Sequence, residues 1–340
     1  MYKDISDKIQ EANNIIIFGH DKIDGDCIWA CISTKNWILR QYPSKKIDIY
    51  TPTEVPQMFD FIIGNEKIIY WENNKIKEGD SDLAIFLDCG AIDRIWATYE
   101  NNKEIIDNMF KINIDHHISN IGFGEINVVE ANKPSSCQVV YKIMKDINKK
   151  SISPSIATSL LTGIMMDTQN YSIKPTDKES FEITAELIEL WARRKDIHDK
   201  LFGSKKFEDI KMIWFLLERI KNIKYKDFSC YYTYTTIDEI EAKWADNKKS
   251  EWYKWEVVTM MNQIDDADFV INLTIDNAEN HTKISFRSKT SFDVNKFANW
   301  VWGGWHKGAS GAKLNYAINP EEIESLIKWL IKKYEIAEGI

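Results

Sequence analysis

Three short apolar runs each stop at a polar cluster of the same kind, and this repeated pairing does most to constrain the fold. Ile15–Phe18 leads into "GHDKIDGD", Leu83–Leu87 into "DCG", and Phe110–Ile114 into "DHH". Another short run lies at Ile47–Tyr50, and stretches such as Cys27–Leu39 and Val139–Ile147 carry apolar residues at helical spacing. Short unbroken apolar strands alternating with helices predict an α/β fold. Its sheet is expected to be mainly parallel, with helices on both faces.

The chain has 340 residues, too many for one ordinary core, and suits two domains. From about 178 to 225 the residues are rich in Glu, Leu, Ile, Lys and Trp at helical spacing, which predicts two helices and a connection. A strand-rich part follows in "DFSCYYTYTT" (227–236), "FVINLTI" (269–275) and "KISFRS" (283–288). "NPEE" signals the start of a closing helix near Pro320–Tyr334. The expected domains are 1–180, with the parallel sheet; 181–225, a helical connection; and 226–340, a smaller mixed-sheet α/β domain.

Hydrophobic residues make up 44% and charged residues 28%, values ordinary for a folded globular chain. The start, MYKDISDKIQ, has no basic region followed by an apolar stretch, and no run of about 18 apolar residues occurs. A cytoplasmic protein without membrane contact is expected. Five cysteines, an odd number without Cys-x-x-Cys spacing, argue against a disulfide framework and a structural zinc site. Cys27 and Cys89 read as small buried filler. With 44 basic against 52 acidic residues, the net charge is −8, which argues against a broad grip on duplex nucleic acid. A small anion held locally remains compatible, since metal bound by carboxylates supplies positive charge.

Loops at the carboxyl ends of parallel strands share one edge, where ligands bind. There the clusters would bring together His20, Asp24 and Asp26; Asp88; and Asp115, His116 and His117. "GIMMDTQNY" adds Asp167 at the end of a further apolar segment. Singly, Asp24 or Asp167 reads as a helix cap and His20 as a core or surface residue. Jointly, so many like charges would repel unless divalent metal neutralised them. Imidazole mixed with several carboxylates suits Mn²⁺, with Mg²⁺, Co²⁺ and Zn²⁺ as alternatives. More ligands than one structural ion needs point to two divalent metal ions, about 3.5–4 Å apart, clamping a phosphoryl group and activating water.

In order and content these motifs resemble those of the DHH phosphoesterases: "HDKIDGD", "LDCG", "DHHISN" and "MMDTQNY", with "KPSSCQVV" resembling the Ser/Thr-rich helix start after the third. "KISFRS" and "DVNKFANWVWGGWHKGASGA" resemble the strand and the glycine-rich signature of the associated C-terminal substrate-binding domain. The resemblance implies that His20, Asp24 and Asp88 hold one metal and Asp26, Asp88, His116 and Asp167 the other. His117 would face the scissile phosphate as hydrogen-bond donor or general acid, and Asp115 would orient an imidazole. Gly303 and Gly304 would allow close approach to an anion, with Arg287, Ser288 and His306 also contacting substrate.

The implied activity is that of a stand-alone oligoribonuclease. It would degrade short single-stranded oligonucleotides and act on small nucleotides, including removal of the 3′-phosphate of pAp. The alternatives are a cyclic dinucleotide or linear pNpN phosphodiesterase and a nucleotide-sensing protein without catalysis. A homodimer is compatible with each. The chain departs from the family pattern at Trp29 and Ala30, where small residues are usual, and at Gln169, where glycine is usual. Trp302 and Trp305 interrupt the glycine run. These departures bear on the substrate more than on the metal chemistry.

Overall fold

The computed structural model describes residues 2–21, 23–56, 59, 66–70, 76, 81–172, 176–244, 252–290, 292–304 and 307–339. The chain divides into two compact units, Met1–Ser204 and Lys205–Ile340.

The first unit runs α1 (Tyr2–Glu11), β1 (Asn14–Phe18), α2 (Gly25–Gln41), β2 (Lys46–Thr51), β3 (Ile68–Tyr70) and β4 (Leu83–Leu87). It continues through α3 (Trp96–Asn108), β5 (Phe110–Asp115), β6 (Ile126–Val129), α4 (Ser136–Asn148), α5 (Pro154–Asp167), α6 (Lys178–Glu189) and α7 (Arg194–His198). Six strands pair in the order β3-β2-β1-β4-β5-β6, all parallel. Phe18 pairs with Tyr50 on one side and Phe86 on the other, so the central strands end level. From β1 the chain moves outward to β2 and β3, then returns to β4 on the opposite side. That reversal leaves a crevice at the carboxyl ends of β1 and β4, where open α/β sheets bind ligands.

The apolar runs are unbroken because both faces are covered. Ile15, Ile17, Leu83, Ile85 and Leu87 join one core with α1, α2, α4 and α5. Ile16, Phe18, Ala84 and Phe86 face the other core, which includes Ile95 and Ile106. Helix starts follow side-chain chemistry: Ser135 caps α4, Ser153 caps α5 ahead of Pro154, and Asp177 closes a capping box with Ser180 on α6.

In the second unit α8 (Phe207–Leu217), β7 (Lys221–Tyr225), β8 (Phe228–Thr236), α9 (Ile237–Lys243), α10 (Trp252–Met261) and β9 (Phe269–Asp276) follow one another. Then come β10 (His281–Arg287), α11 (Val294–Trp300), β11 (Ala309–Leu314) and α12 (Ile323–Glu338). The sheet order is β11-β10-β9-β8-β7, with β8 and β9 parallel and the other pairs antiparallel. Phe269, Ile271, Leu273 and Ile275 of β9 pack with α11 and α12 residues, while Val270 turns to the side of α8 and α10. Among the described residues no helix is long and apolar enough to cross a membrane.

Candidate metal centre

Each polar cluster of the first unit leaves the sheet at its carboxyl edge. His20 follows β1 by one glycine, and its ring is 2% exposed. Nδ1 lies 2.6 Å from the Asp21 carbonyl, so it donates there. Nε2 is thereby aimed at carboxylates: Asp88 Oδ2 at 3.2 Å and Asp24 Oδ2 at 3.7 Å. Asp24 is also the N-cap of α2, accepting from the Cys27 amide at 3.1 Å. The cap reading and the cluster reading of Asp24 therefore both describe it. Cys27 accepts from the His20 amide through Sγ and donates to the Leu87 carbonyl, the contacts of a packing residue.

Asp88 stands at the centre. It follows β4 with φ +57°, a region that Asp and Asn tolerate better than other side-chain-bearing residues. Its Oδ1 lies 3.4 Å from His116 Nε2 and accepts a 2.8 Å hydrogen bond from the Ser136 hydroxyl. Asp26, fully buried in the first turn of α2, accepts from the amides of Ser136 and Cys137, the latter at 3.0 Å. The start of α4 thus donates to two of the clustered carboxylates. The sequence marked that segment as a helix start but did not single out Ser136.

After β5, Asp115 is fully buried and accepts from the amides of His116 and His117 and from His117 Nδ1 at 2.7 Å. Its second oxygen accepts from Asn120 Nδ2 at 2.6 Å. That amide also reaches the Cys89 carbonyl and Asn113, tying the loops after β4 and β5 together. Asn120 lies within the quoted "DHHISN", yet its role appears only once the two loops are adjacent. His116 repeats the geometry of His20. Its Nδ1 is tied to the Lys133 carbonyl at 3.0 Å, and Nε2 faces Asp88 and, at 3.5 Å, Asp167 Oδ2.

Asp167 is the last residue of α5, so the fourth segment arrives as a helix. Thr168 ends it, and Gln169, Asn170 and Tyr171 all adopt left-handed φ. Gln169, which stands where the resembled pattern usually has glycine, has φ +47°, and a side chain there carries backbone strain. Helix α5 comes very close to its neighbours at Gly163. A Cβ there would lie 2.3 Å from Cys137 Sγ and 2.8 Å from Asp26 Oδ1.

The electrostatics follow from this crowding. Burial pushes the Asp26 carboxyl up to about 7, and the Asp88 charge adds to it. Burial likewise raises Asp24 and, with the charges of Asp26 and Asp24, takes Asp167 well above the carboxylate range. Asp88 is held well below that range: burial opposes its charge, but hydrogen bonds from His116 and His20 prevail. Burial also opposes charge on His116, and its bond to Asp88 outweighs that, so the ring keeps its proton more strongly than usual. Asp26, His116 and Asp167 offer atoms all within 4.8 Å of one another, as do Asp88, His116 and His117, and His20, Cys27 and Asp88. Two imidazoles fixed through Nδ1 and four carboxylates form a donor set that fits divalent metal.

The second-unit residues are differently engaged. Arg287 ends β10, half-buried, with Nη1 donating to the Phe286 carbonyl at 2.8 Å and no carboxylate partner among the described residues. Ser288 donates its hydroxyl to the Asp268 carbonyl at 2.7 Å. The amides of Gly303 and Gly304 donate to the carbonyls of Ala298 and Gly311. A Cβ on Gly303 would lie 2.1 Å from the Gly311 oxygen, so the close approach that requires glycine there is to β11. His306 and Trp305 lie outside the described residues. Trp302 is 77% exposed, while Trp29 and Ala30 are fully buried in the core of the first unit.

Over 97% of this chain and 99% of the relative, the sequence is 23% identical to the probable bifunctional oligoribonuclease and PAP phosphatase NrnA of Streptococcus mutans. It is 24% identical, over 96% of this chain and 95% of the relative, to the bifunctional oligoribonuclease and PAP phosphatase NrnA of Mycoplasma genitalium. The crystal structure of an exopolyphosphatase-related protein from Bacteroides fragilis superposes with a TM-score of 0.85 at 21% identity, covering 99% of this chain and 96% of that one. At that identity the likeness establishes the fold. Residues 14–164 match the DHH family, N-terminal domain, and the clusters after β1, β4 and β5 lie within that span. The matched span holds the whole parallel sheet of the first unit, so it is this part of the chain that is similar to the DHH family.

Proposed function

We propose that this chain is a divalent-metal-dependent phosphoesterase that hydrolyses short oligonucleotides to mononucleotides and removes the 3′-phosphate of pAp. The observation that carries this reading is the convergence on Asp88. The Nε2 atoms of His20 and His116 both face it, at 3.2 and 3.4 Å, from strands on either side of β4. His20, Asp24 and Asp88 would hold one ion, and Asp26, Asp88, His116 and Asp167 the other, with Mn²⁺ favoured by the donor mix. Bound there, two such ions would polarise a phosphoryl group and make water a nucleophile at neutral pH.

The chain's own residues supply the rest. Asp115 orients the His117 ring through Nδ1, which suits His117 to donate a hydrogen bond or proton to the phosphate under attack. Asn120 in turn fixes Asp115. In the second unit, Arg287 offers a guanidinium to a substrate phosphate. The relatives' names, which join oligoribonuclease and PAP phosphatase, support the choice of substrates.

The test is a panel of a diribonucleotide, short RNA, pAp and a cyclic dinucleotide, each assayed with Mn²⁺. Turnover of the first three is expected. Turnover of the cyclic dinucleotide alone would move the reading to that substrate, and binding without turnover of any would make the chain a nucleotide-binding protein.

A further inference from the structure

The β9–β10 hairpin carries a second cluster of metal-ligating groups, far along the chain from the first. Asp276 ends β9 and His281 begins β10, and the two are cross-strand partners. The four residues between them form the turn. Asp276 Oδ1 accepts from the Glu279 amide at 2.9 Å, which folds that residue back over the strand ends.

His281 is 7% exposed, and its Nδ1 is buried without a hydrogen-bond partner. Native structures leave few buried polar atoms in that state, and each calls for an explanation. The charged atom facing it is Glu279 Oε2 at 3.5 Å. Ligand atoms of Asp276, Glu279 and His281 all lie within 4.8 Å of one another. The strand that carries the imidazole is anchored at the next residue, where the Thr282 hydroxyl donates to the Tyr316 carbonyl and accepts from the Ile318 amide.

We propose that Asp276, Glu279 and His281 form a binding site for a single divalent cation of the borderline, Zn²⁺ type. An imidazole nitrogen with two carboxylates selects such ions over Mg²⁺ and Ca²⁺, which take oxygen donors. The ligand atoms are spaced somewhat wider than in a closed site. The Glu279 side chain, 73% exposed, is free to move in and complete it. A cation there gives His281 Nδ1 the partner it lacks and ties the turn to both strands.

The experiment is equilibrium dialysis of the full chain against Zn²⁺, followed by elemental analysis, for wild type, His281→Ala and Glu279→Gln. Glu279 is exposed, so Glu279→Gln keeps the fold even where removing a buried histidine does not. Both variants are expected to hold one equivalent fewer than wild type. Diribonucleotide hydrolysis with Mn²⁺ is expected to be unchanged in Glu279→Gln. With Co²⁺ in place of Zn²⁺, the visible absorption of wild type should exceed that of Glu279→Gln. Equal metal content and equal Co²⁺ spectra in wild type and Glu279→Gln would overturn the proposal.

Discussion

At Asp88 the choice of replacement decides what a mutant reports. Its left-handed backbone tolerates Asn, whereas Ala would add strain of about 1 kcal/mol. Asp88→Asn removes the charge shared by both histidines while keeping the backbone. Turnover is expected to fall by about 10²–10³-fold or more, with the fold in chelator retained, read by circular dichroism. A collapse of stability with activity per folded molecule retained would count against a catalytic role. Ser136→Ala removes the hydroxyl that orients Asp88, and is expected to weaken Mn²⁺ activation about 10-fold or more, read from the metal concentration giving half-maximal rate. An unshifted Mn²⁺ titration would make the hydroxyl merely a packing contact. His20, Asp88 and His116 could be picked out in sequence because each follows an apolar strand. Ser136 and Asn120 could not. Their partners lie 48 residues away for Ser136 and on the neighbouring loop for Asn120, and only tertiary docking reveals those contacts.

Among the elements, the strands buried on both faces were the most legible, because burial demands unbroken apolar runs. β7 falls in the stretch whose sequence predicts a helical connection. Only Ile223 of its five residues is buried, so no strand pattern shows. α5 shows in the sequence only as an apolar segment, since every residue from Ile156 to Met165 is buried and no polar face marks the helical period. One cross-element tie yields a pH prediction. Glu186 on α6 accepts from Tyr141, Lys145 and Lys149 at 2.6, 2.7 and 3.1 Å, joining α6 to the end of α4. Burial opposes its charge, but the bonds from Lys145, Tyr141 and Lys149 hold its carboxyl down to about 2. A carboxyl depressed in the folded state stabilises above its unfolded pKa of about 4.3, and that contribution fades as pH falls towards 2. Glu186→Gln should therefore cost about 1–2 kcal/mol in urea unfolding at pH 7, and progressively less below about pH 4.5. A pH-independent difference would show that the tie is not electrostatic.

For the whole molecule, the α/β class of both units could be read from the order of apolar runs. What the glycine-rich segment contacts could not. The sequence reading has Gly303 and Gly304 allow close approach to an anion, and only the fold shows that their amides donate to the carbonyls of Ala298 and Gly311. Sequence shows which positions need glycine, while the fold decides what comes near. At this scale the charge of −8 carries a prediction about substrate length. Without a long basic track, only local contacts hold a strand, so kcat/KM is expected to peak at about two to five nucleotides. A steady rise towards long strands would contradict this. Arg287→Ala should weaken all phosphorylated substrates alike, because a guanidinium on phosphate reads charge and not base.

The central claim, that metal held around Asp88 drives phosphoester hydrolysis, is tested most directly by a titration. Wild-type protein is stripped with chelator, dialysed and titrated with Mn²⁺ while diribonucleotide cleavage is followed. No turnover is expected in the stripped protein, with activity restored as metal is added and no restoration in Asp88→Asn. Full turnover by the stripped protein, or restoration of Asp88→Asn to the wild-type rate, would contradict the account.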